Sequence, residues 1–559
     1  MRGAVTAFVH EMRQHLLDTE LRIMVGMAEG ADLLVAQTVL ELGLGVDAVL
    51  PMPLDKYAAD FDAETLELLH TLLRRPDVVC VELPLPAQLD DAAAIGTPAH
   101  RNALYANLTD ALIRRSSLLL TLWDGQSSPL PGGTADTVLR YLGVRTDENV
   151  HEDRIVFVDA PADFHSASRL VYWIPAARSG APPAPDVRLP CFLLGVGDNV
   201  VQRRESMPAQ LQWQLTGLNR FNLEFAQLTV AGSLHAPDSL LATLPVGAPL
   251  HDRPTLEEID AQYGKADALA VYYQKRSDRL FALFGVMALT MGLAYLIYEK
   301  LTESRLVLIV YLVILLSSLG VYYVLQGRRW FAKHLTYRVL AETMRAKFYL
   351  RLAGADHLVD AGAVLSLSGI DQFHGFSWIS CVLKSVKPPE LRPRTSPGPD
   401  SRQSRFVEQA WIENQHRYFT SKVARLEKSS RRIKRLRNSL FVVILLVILV
   451  LFLFGEYLQD TDLGLGVPLK NIITFCMGFL AVVLAVWELH QDKMATRELL
   501  WQYRNQQGHF SRAKMQLAHI TALSRRQDVL AELGKDSLME SYLWTIHRYH
   551  REHEPPTGA

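Results

Sequence analysis

The chain has 559 residues, which is long for one domain and predicts two to four folded units. Its 58 lysines and arginines balance 59 aspartates and glutamates, so the overall charge gives no argument for nucleic-acid binding. The four cysteines are widely spaced with no CxxC pair, which argues against a disulfide framework or a zinc site and fits a reducing compartment.

The first part of the chain alternates amphipathic segments with short apolar runs. A helical pattern opens it, and strand-like runs follow at LRIMVG, VDAVLP, VVCVELP, SLLLTLWD and RIVFVDAP. This alternation predicts an α/β domain over residues 1–180, with helices covering a parallel sheet. In such sheets ligands bind beyond the carboxyl ends of the strands, where turns lead into helices.

The first such turn lies in MVGMAEGADLLVAQ. Gly26 and Gly30 permit close approach to the backbone, and Ala28 keeps the turn narrow. Glu29 and Asp32 fall in the first turn of the following helix, where the dipole favours carboxylates. They either cap the helix or accept hydrogen bonds from ribose hydroxyls, and two acids make the turn unsuitable for a phosphate.

A glycine-rich turn lies in WDGQSSPLPGGTADTVLRYLG, between a strand and a helix. Free amides at a glycine-rich helix start form an anion site, so this turn is expected to bind a phosphate or pyrophosphate, with a sugar contact on the aspartate. A loop without a ligand remains the alternative. The candidate residues are Trp123, Asp124, Gly125, Gly132, Gly133 and Thr134.

A third turn reads LPMPLDKYAADF. Pro51 shapes the loop, and Tyr57 and Phe61 either cover a base or pack in the core. Arg101 begins a later helix, where its guanidinium could neutralise a phosphate.

Together, MAEGADLLVAQTVLELG, VLPMPLDKYAADF and LWDGQSSPLPGGTADTV resemble the SLOG family of Rossmann-like nucleotide-binding domains, which includes LOG-type phosphoribohydrolases and the cytosolic sensor region of TRPM channels. The resemblance covers roughly residues 1–180. It implies a Rossmann-like parallel sheet and a small regulatory nucleotide derivative, of ADP-ribose or cyclic oligonucleotide type, with no resident cofactor and no metal.

The chain departs from that family in two ways. The usual first strand and its Gly-His-Arg loop are missing ahead of the first helix, so we expect either that the true start lies upstream or that the ligand site is incomplete. The PGGxGTxxE pattern of LOG-type hydrolases reads PGGTAD here, from Pro131 to Asp136. The missing second glycine motif and glutamate argue against N-glycosidic hydrolysis, and we expect a non-enzymatic domain.

Four long stretches of the second half contain no charged residue: Leu280–Tyr298, Leu306–Gln326, Asn438–Gly455 and Asn471–Trp487. Each approaches the roughly 20 apolar residues that cross a bilayer, which predicts four transmembrane helices. Basic residues flank the first two stretches on one side, and KSSRRIKRLR precedes the third. The positive-inside rule then places both termini in the cytoplasm.

The membrane region contains an internal duplication. An Arg-x-Leu-x-x-x-x-Arg pattern follows the second and the fourth stretch, at Arg338 and Arg345 and again at Arg497 and Arg504, an offset of 159 positions. These arginines either anchor amphipathic helices at the interface or form a collar that couples a cytosolic domain to the spans. Over roughly residues 260–550 the arrangement resembles SLATT-type membrane modules of bacterial conflict systems.

The predicted order is therefore a ligand domain (1–180), a linker and helical coupling region (181–275), a two-span unit (276–385), a flexible linker (386–410), a second two-span unit (411–550) and a tail (551–559). We expect a multi-pass protein of the bacterial inner membrane, whose nucleotide-type ligand gates a homo-oligomeric pore, with no nucleic-acid partner. A non-conducting receptor or scaffold and a membrane-tethered LOG-like hydrolase are the alternatives.

Overall fold

The computed structural model describes residues 1–84, 97–128, 130–144, 156–159, 169–177, 189–197, 200–245, 250, 252–386, 401–461, 466–493 and 496–552. These residues divide into two compact units. Unit 1 comprises Met1–Gly232, Leu250–Ile259 and Ala361–Gly398, and unit 2 comprises Ser233–Pro249, Asp260–Asp360 and Pro399–Ala559.

Unit 1 is an α/β structure. Its elements are α1 (Arg2–His15), β1 (Arg22–Val25), α2 (Ala31–Glu41), β2 (Gly45–Leu50), α3 (Leu54–Tyr57), α4 (Ala63–Leu73), β3 (Val78–Glu82), α5 (Pro98–Arg115), β4 (Leu119–Trp123), α6 (Thr134–Leu142), β5 (Val156–Asp159), β6 (Leu170–Pro175), β7 (Cys191–Gly197), β8 (Val200–Arg204) and α7 (Ala209–Val230), followed later by α11 (Ala361–Leu367) and α12 (Ile379–Ser385).

The strands of unit 1 form two sheets. The first has three parallel strands in the order β1-β2-β3, and the second has five in the order β4-β6-β7-β8-β5. The five predicted strands are present, so an N-terminal α/β region with a parallel sheet is confirmed. All pairings of the five predicted strands are parallel, but β7, which was not predicted, pairs antiparallel with both β6 and β8, so the second sheet is mixed. Since Gly197 pairs with Val200, the turn between β7 and β8 is too short for a parallel crossover.

The two sheets share one hydrophobic core. Helices α1, α2 and α7 contribute to it together with strands from both sheets. The ring of Phe8 in α1 stacks on Tyr172 of β6 with centroids 4.3 Å apart. Unit 1 thus continues beyond the predicted boundary at 180, and the region 181–275 contains β7 and β8 in addition to helix. Residues 361–385, predicted to belong to a membrane unit, also lie in unit 1: Gly217 in α7 permits contact with the ring of Trp378.

Unit 2 is helical. Its elements are α8 (Arg253–Lys300, within unit 2 from Asp260), α9 (Arg305–Gln326), α10 (Trp330–Leu352), α13 (Ser401–Val407), a π-helical turn (Glu408–Glu413), α14 (Asn414–Asp460), α15 (Leu469–Lys493), α16 (Thr496–His519) and α17 (Leu523–Glu552). Part of the predicted flexible linker 386–410 is therefore helical from Ser401, while residues 387–400 lie outside the described part of the chain.

Among the described residues, four helical segments are long and apolar enough to cross a membrane, as predicted, and at most 6% of each apolar window is buried in the protein. A multi-pass membrane protein accounts for this exposure, because apolar side chains favour lipid over water. A helix of 48 residues such as α8 is about 72 Å long, more than twice the hydrocarbon thickness. Its charged N-terminal half therefore lies outside the membrane-spanning stretch.

Glycines bring the first and fourth apolar stretches together. A Cβ on Gly292 of α8 would lie 2.5 Å from Cγ1 of Val482 in α15, and a Cβ on Gly478 would lie 2.8 Å from Cδ2 of Leu296. Small residues at such positions allow close helix packing in lipid, where dispersion rather than the hydrophobic effect holds helices together.

Helix α10 differs from its prediction as an amphipathic interfacial helix. Most of its residues from Ala332 to Leu352 are buried, and it packs against α17. A helix that is buried on nearly all sides carries its charged residues into the protein interior, where they require partners.

Candidate functional site

Three segments that follow strands of unit 1 meet at helix α5, two of them at Tyr105 and the third, through Gly26, at Leu108. The ring of Tyr105 lies 6.3 Å from that of Tyr57, in the loop after β2. In the glycine-rich loop after β4, a Cβ on Gly132 would lie 2.5 Å from the carbonyl carbon of Tyr105. The loop after β1 joins them through Gly26, whose carbonyl accepts a hydrogen bond of 3.1 Å from the Tyr57 hydroxyl. The loops predicted to bind a ligand are thus neighbours.

The loop after β1 is closed by its own aspartate. Asp32 accepts a hydrogen bond of 3.1 Å from the amide of Ala28, and the Gly26 amide also bonds to it. Burial raises the pKa of Asp32, and these two amide bonds offset part of that rise. Glu29 is exposed, and Gly30 begins α2 with a φ of 89°. Asp32 therefore shapes the loop, and Glu29 is the acid that a ligand can reach.

Tyr57 belongs to the core of this region. It is fully buried and packs edge-on against Phe61, with centroids 4.8 Å apart. Pro51 is buried in the same loop. The Tyr57 hydroxyl donates to the Gly26 carbonyl, so the residue stabilises the loop after β1. Because the Tyr57 ring is covered by protein, it has no open face on which a base could stack.

Arg101 is already paired. Its guanidinium forms an ion pair with Asp60, and the Tyr105 hydroxyl donates a 2.7 Å hydrogen bond to the same carboxylate. The Arg101 side chain is 21% exposed. A phosphate would therefore have to share this guanidinium with Asp60.

The glycine-rich loop has a similar internal carboxylate. The Gly132 amide donates a hydrogen bond of 2.8 Å to Asp136, just as the Ala28 amide donates to Asp32. Gly133 is the N-cap of α6, no side chain caps this helix, and Thr134 is exposed at its first turn. Asp136 thus occupies part of the position predicted for a phosphate, and the hydroxyl of Thr134 faces solvent.

The end of β4, predicted to contact a ligand, is buried at Trp123 and Asp124. Trp123 is buried, and its carbonyl accepts a 2.8 Å hydrogen bond from the indole of Trp173. Asp124 is also buried and accepts a 3.1 Å bond from the Gln126 amide, while Gly125 supplies a φ of 78° to the turn. These contacts give the three residues a structural role beside the loops.

Three residues of this site were missed in the sequence: Asp60, Tyr105 and Asp136. Tyr105 could have been found from its position four residues after Arg101, which places both on one face of α5. Asp60 had no local signal, because its partners Arg101 and Tyr105 lie more than forty residues along the chain, whereas Asp136 bonds to the amide of Gly132 only four residues before it.

In unit 2, the predicted coupling residues Arg338 and Arg345 belong to a charged cluster between α8 and α10. Glu342 forms ion pairs of 2.5 Å with Arg338 and 2.6 Å with Arg345. Arg338 also lies 3.6 Å from Asp267, and Arg345 donates a 2.7 Å hydrogen bond to the hydroxyl of Tyr263. The arginines therefore link two helices, rather than only anchoring one of them at an interface.

The two carboxyl groups of this cluster differ in their pKa. Burial by itself raises the pKa of Glu342, but the attraction of Arg338 and Arg345 outweighs it, and the net pKa is lowered. For Asp267 burial dominates, and the same arginines, which lie farther away, leave the net pKa raised. Glu342 is the principal counter-ion of the cluster.

The second copy of the arginine pattern is not equivalent to the first. Arg497 is exposed, and Arg504 pairs with Glu427 at 2.7 Å with its side chain 56% exposed. The position 159 residues after Glu342 is Trp501, which has no carboxylate and is exposed. Only the first copy builds a buried charged cluster from the described residues.

No family model, curated protein or solved structure matches this chain. The function of this protein is therefore inferred from the loops of unit 1, the charged cluster of unit 2 and the apolar helices.

Proposed function

We propose that this protein is a membrane-embedded sensor and effector, in which the Rossmann-like, SLOG-like α/β unit binds a nucleotide-derived ligand and gates an oligomeric pore. The observation that carries the proposal is the meeting of three strand-end loops at helix α5, in a chain whose described residues also include four membrane-length helices. Parallel α/β sheets bind ligands at such loop clusters. A bacterial inner membrane with both termini in the cytoplasm is the setting we propose.

The polar groups around the loops support a ligand that has hydroxyls as well as a phosphate. Asp32 and Asp136 occupy loop amides, so a bare phosphate meets competing carboxylates there. Glu29 and Thr134 are exposed and can bond to ribose hydroxyls, and Arg101 can share its charge between Asp60 and one phosphate. ADP-ribose-like molecules and cyclic oligonucleotides both have this combination of groups.

The binding step is tested with full-length protein in detergent, titrated calorimetrically with ADP-ribose and with a panel of cyclic oligonucleotides. We expect one of them to bind, and Glu29→Gln and Thr134→Ala to weaken that binding. Glu64→Gln, an equally exposed acid on α4, is the matched control and should bind normally. If no nucleotide binds, or if the control loses as much affinity as the two site variants, the ligand site is wrongly assigned.

The gating step concerns unit 2. The charged cluster joins α8, which contains the first apolar stretch, to α10, which follows the second, so a change in its ion pairs would act on the spans. A ligand causes such a change only through its differential affinity for the two states. Ligand-dependent ion flux from liposomes containing the full-length protein is the expected result. Absence of flux with a ligand that demonstrably binds would refute the effector role while leaving the sensor role intact.

A non-conducting receptor or scaffold is the second candidate. It is favoured by the apolar stretches, which contain no ionisable side chain to line a hydrated path. Ligand-dependent capture of a partner protein without conductance would support it. A membrane-tethered hydrolase would be supported instead by turnover of the bound nucleotide.

A further inference from the structure

Aromatic rings hold three cationic side chains where α8, α10 and α17 meet. We call these side chains and their rings the cation–aromatic cluster. The guanidinium of Arg276 lies over Tyr272 (4.5 Å) and Trp330 (5.3 Å), the ammonium of Lys333 lies over Tyr273 (5.0 Å), and the guanidinium of Arg548 lies over Phe331 (4.8 Å) and Trp544 (5.1 Å).

The cluster lies at the membrane end of these helices. Arg276 precedes the first apolar stretch by four residues, and Trp330 follows the second by four residues. At 1.5 Å per helical residue, Arg276 lies about 6 Å along α8 from the start of the apolar stretch, which is the depth of the headgroup layer. Phe281 and Phe331 pack edge-on, 5.9 Å apart, and join α8 to α10 at this level.

Further positive charge surrounds the cluster. Arg279, Arg328 and Arg329 are exposed, and in the described part of the chain neither they nor Arg276 form an ion pair. Asp278, the acid between Arg276 and Arg279, has an interaction of its own. The guanidinium groups of these four arginines therefore have charge available for an anion.

The contacts of Arg276 are suited to a phosphate. A guanidinium held over aromatic rings still has N–H groups that can bind phosphate oxygens in pairs. The ring contacts also fix the side chain beforehand, so less conformational entropy is lost on binding. A lysine in the same place would be a point charge without this preorganisation.

The neighbouring surface identifies the source of the phosphate. Apolar side chains continue from the cluster along both spans and are exposed, with Val286 at 60% and Val324 at 68%. A ligand with acyl chains covers this surface while its headgroup meets the arginines, whereas a free phosphate covers none of it. We propose that the cation–aromatic cluster is a binding site for the headgroup of an anionic phospholipid.

The test uses full-length protein purified in an uncharged detergent, with native mass spectrometry to count bound lipids. Phosphatidylglycerol and phosphatidylcholine are added in equal amounts, and we expect phosphatidylglycerol to be retained preferentially. Arg276→Gln combined with Arg279→Gln should weaken its binding by about fivefold per arginine. Arg276→Lys keeps the charge but loses the planar guanidinium over the two rings, and it should also lower the retention of phosphatidylglycerol.

The matched control is Arg432→Gln with Arg435→Gln in α14. Both arginines are exposed just before the third apolar stretch, and the charge change is the same, but neither lies over an aromatic ring among the described contacts. We expect this control to retain phosphatidylglycerol normally. An equal loss in the control, or equal retention of both lipids by the unaltered protein, would overturn the proposal in favour of general surface charge.

Soluble anions give the last arm of the test. Inorganic phosphate and glycerol phosphate should fail to displace bound phosphatidylglycerol, because they lack the apolar contact. Displacement by either would show a soluble-anion site and refute the lipid assignment. If the Arg276 variants fold poorly, Arg328→Gln combined with Arg329→Gln replaces them in the test, because these two side chains are exposed. This variant should also weaken the binding of phosphatidylglycerol.

Discussion

Two carboxylates in the charged cluster of unit 2 should respond in opposite ways to the same chemical change. Glu342→Gln and Asp267→Asn each replace a carboxylate by an amide of equal size. Glu342 has a lowered pKa and pairs with two arginines, so its ionised form stabilises the fold. Asp267 has a raised pKa, because burial outweighs the attraction of the arginines, so its ionised form has a net cost.

The magnitudes follow from burial. Removing one partner of a buried ion pair costs about 3–5 kcal/mol, and we take the lower end for Glu342→Gln because its side chain is 22% exposed. A loss of about 3 kcal/mol lowers the apparent melting temperature by roughly 6–12 °C for a unit of this size. Asp267→Asn should leave the stability unchanged or raise it by about 1 kcal/mol.

The pH dependence has a definite sign. The lowered pKa of Glu342 gives stability that is present above its unfolded pKa of about 4.5 and is lost as the pH falls through the folded value. Asp267, with its raised pKa, favours the fold only at pH below its unfolded value of about 3.8 and loses that contribution as the pH rises. The difference between the two variants should therefore be largest near neutral pH.

The assay is thermal unfolding of the full-length protein in detergent, followed by tryptophan fluorescence at about pH 7 and about pH 5. Both variants remove one negative charge, so each is the control for the other. Equal destabilisation by the two would refute the reasoning, since it would mean that both carboxylates contribute through the same ion pairs.

The remaining predictions use the same unfolding assay. Gly132→Ala places a Cβ 2.5 Å from the α5 backbone and should destabilise unit 1 by several kcal/mol, whereas Gly143→Ala, with a similar positive φ but open space, should cost only about 1–2 kcal/mol. Gly292→Ala should separate α8 from α15 and lower the melting temperature, and Gly320→Ala, which meets nothing within 4 Å, should not; equal effects would contradict the packing. Burial lowers the pKa of His334 to about 4, so stability should fall as the pH drops from about 6.5 to about 4, and His334→Gln should remove that dependence.

The local patterns of the sequence were sufficient for the elements with strong periodicity. The five predicted strands of unit 1 form, and the four uncharged stretches are in helices of membrane-crossing length. Such patterns report directly on which side chains avoid water, so they need no knowledge of distant contacts. The strands β6, β7 and β8 were not predicted, because they lie beside proline-rich sequence and join a mixed sheet, in which two pairings are parallel and two antiparallel.

The sequence predicted which residue types form the candidate site, but it did not predict which residues they contact. The glycines and acids around Gly26 and Gly132 predicted turns at strand ends, and the structure has those turns. Only the fold places the Tyr57 hydroxyl on the Gly26 carbonyl and the Asp60 carboxylate beside Arg101.

The two copies of the arginine pattern are alike in sequence but differ in their tertiary contacts. The sequence determined their spacing and so their common helix face, because that depends on helical geometry alone. The tertiary structure decided that Arg345 is buried with Glu342 while Arg504 stays largely exposed. Burial depends on which helices pack around a residue, and that packing joins segments far apart in the chain.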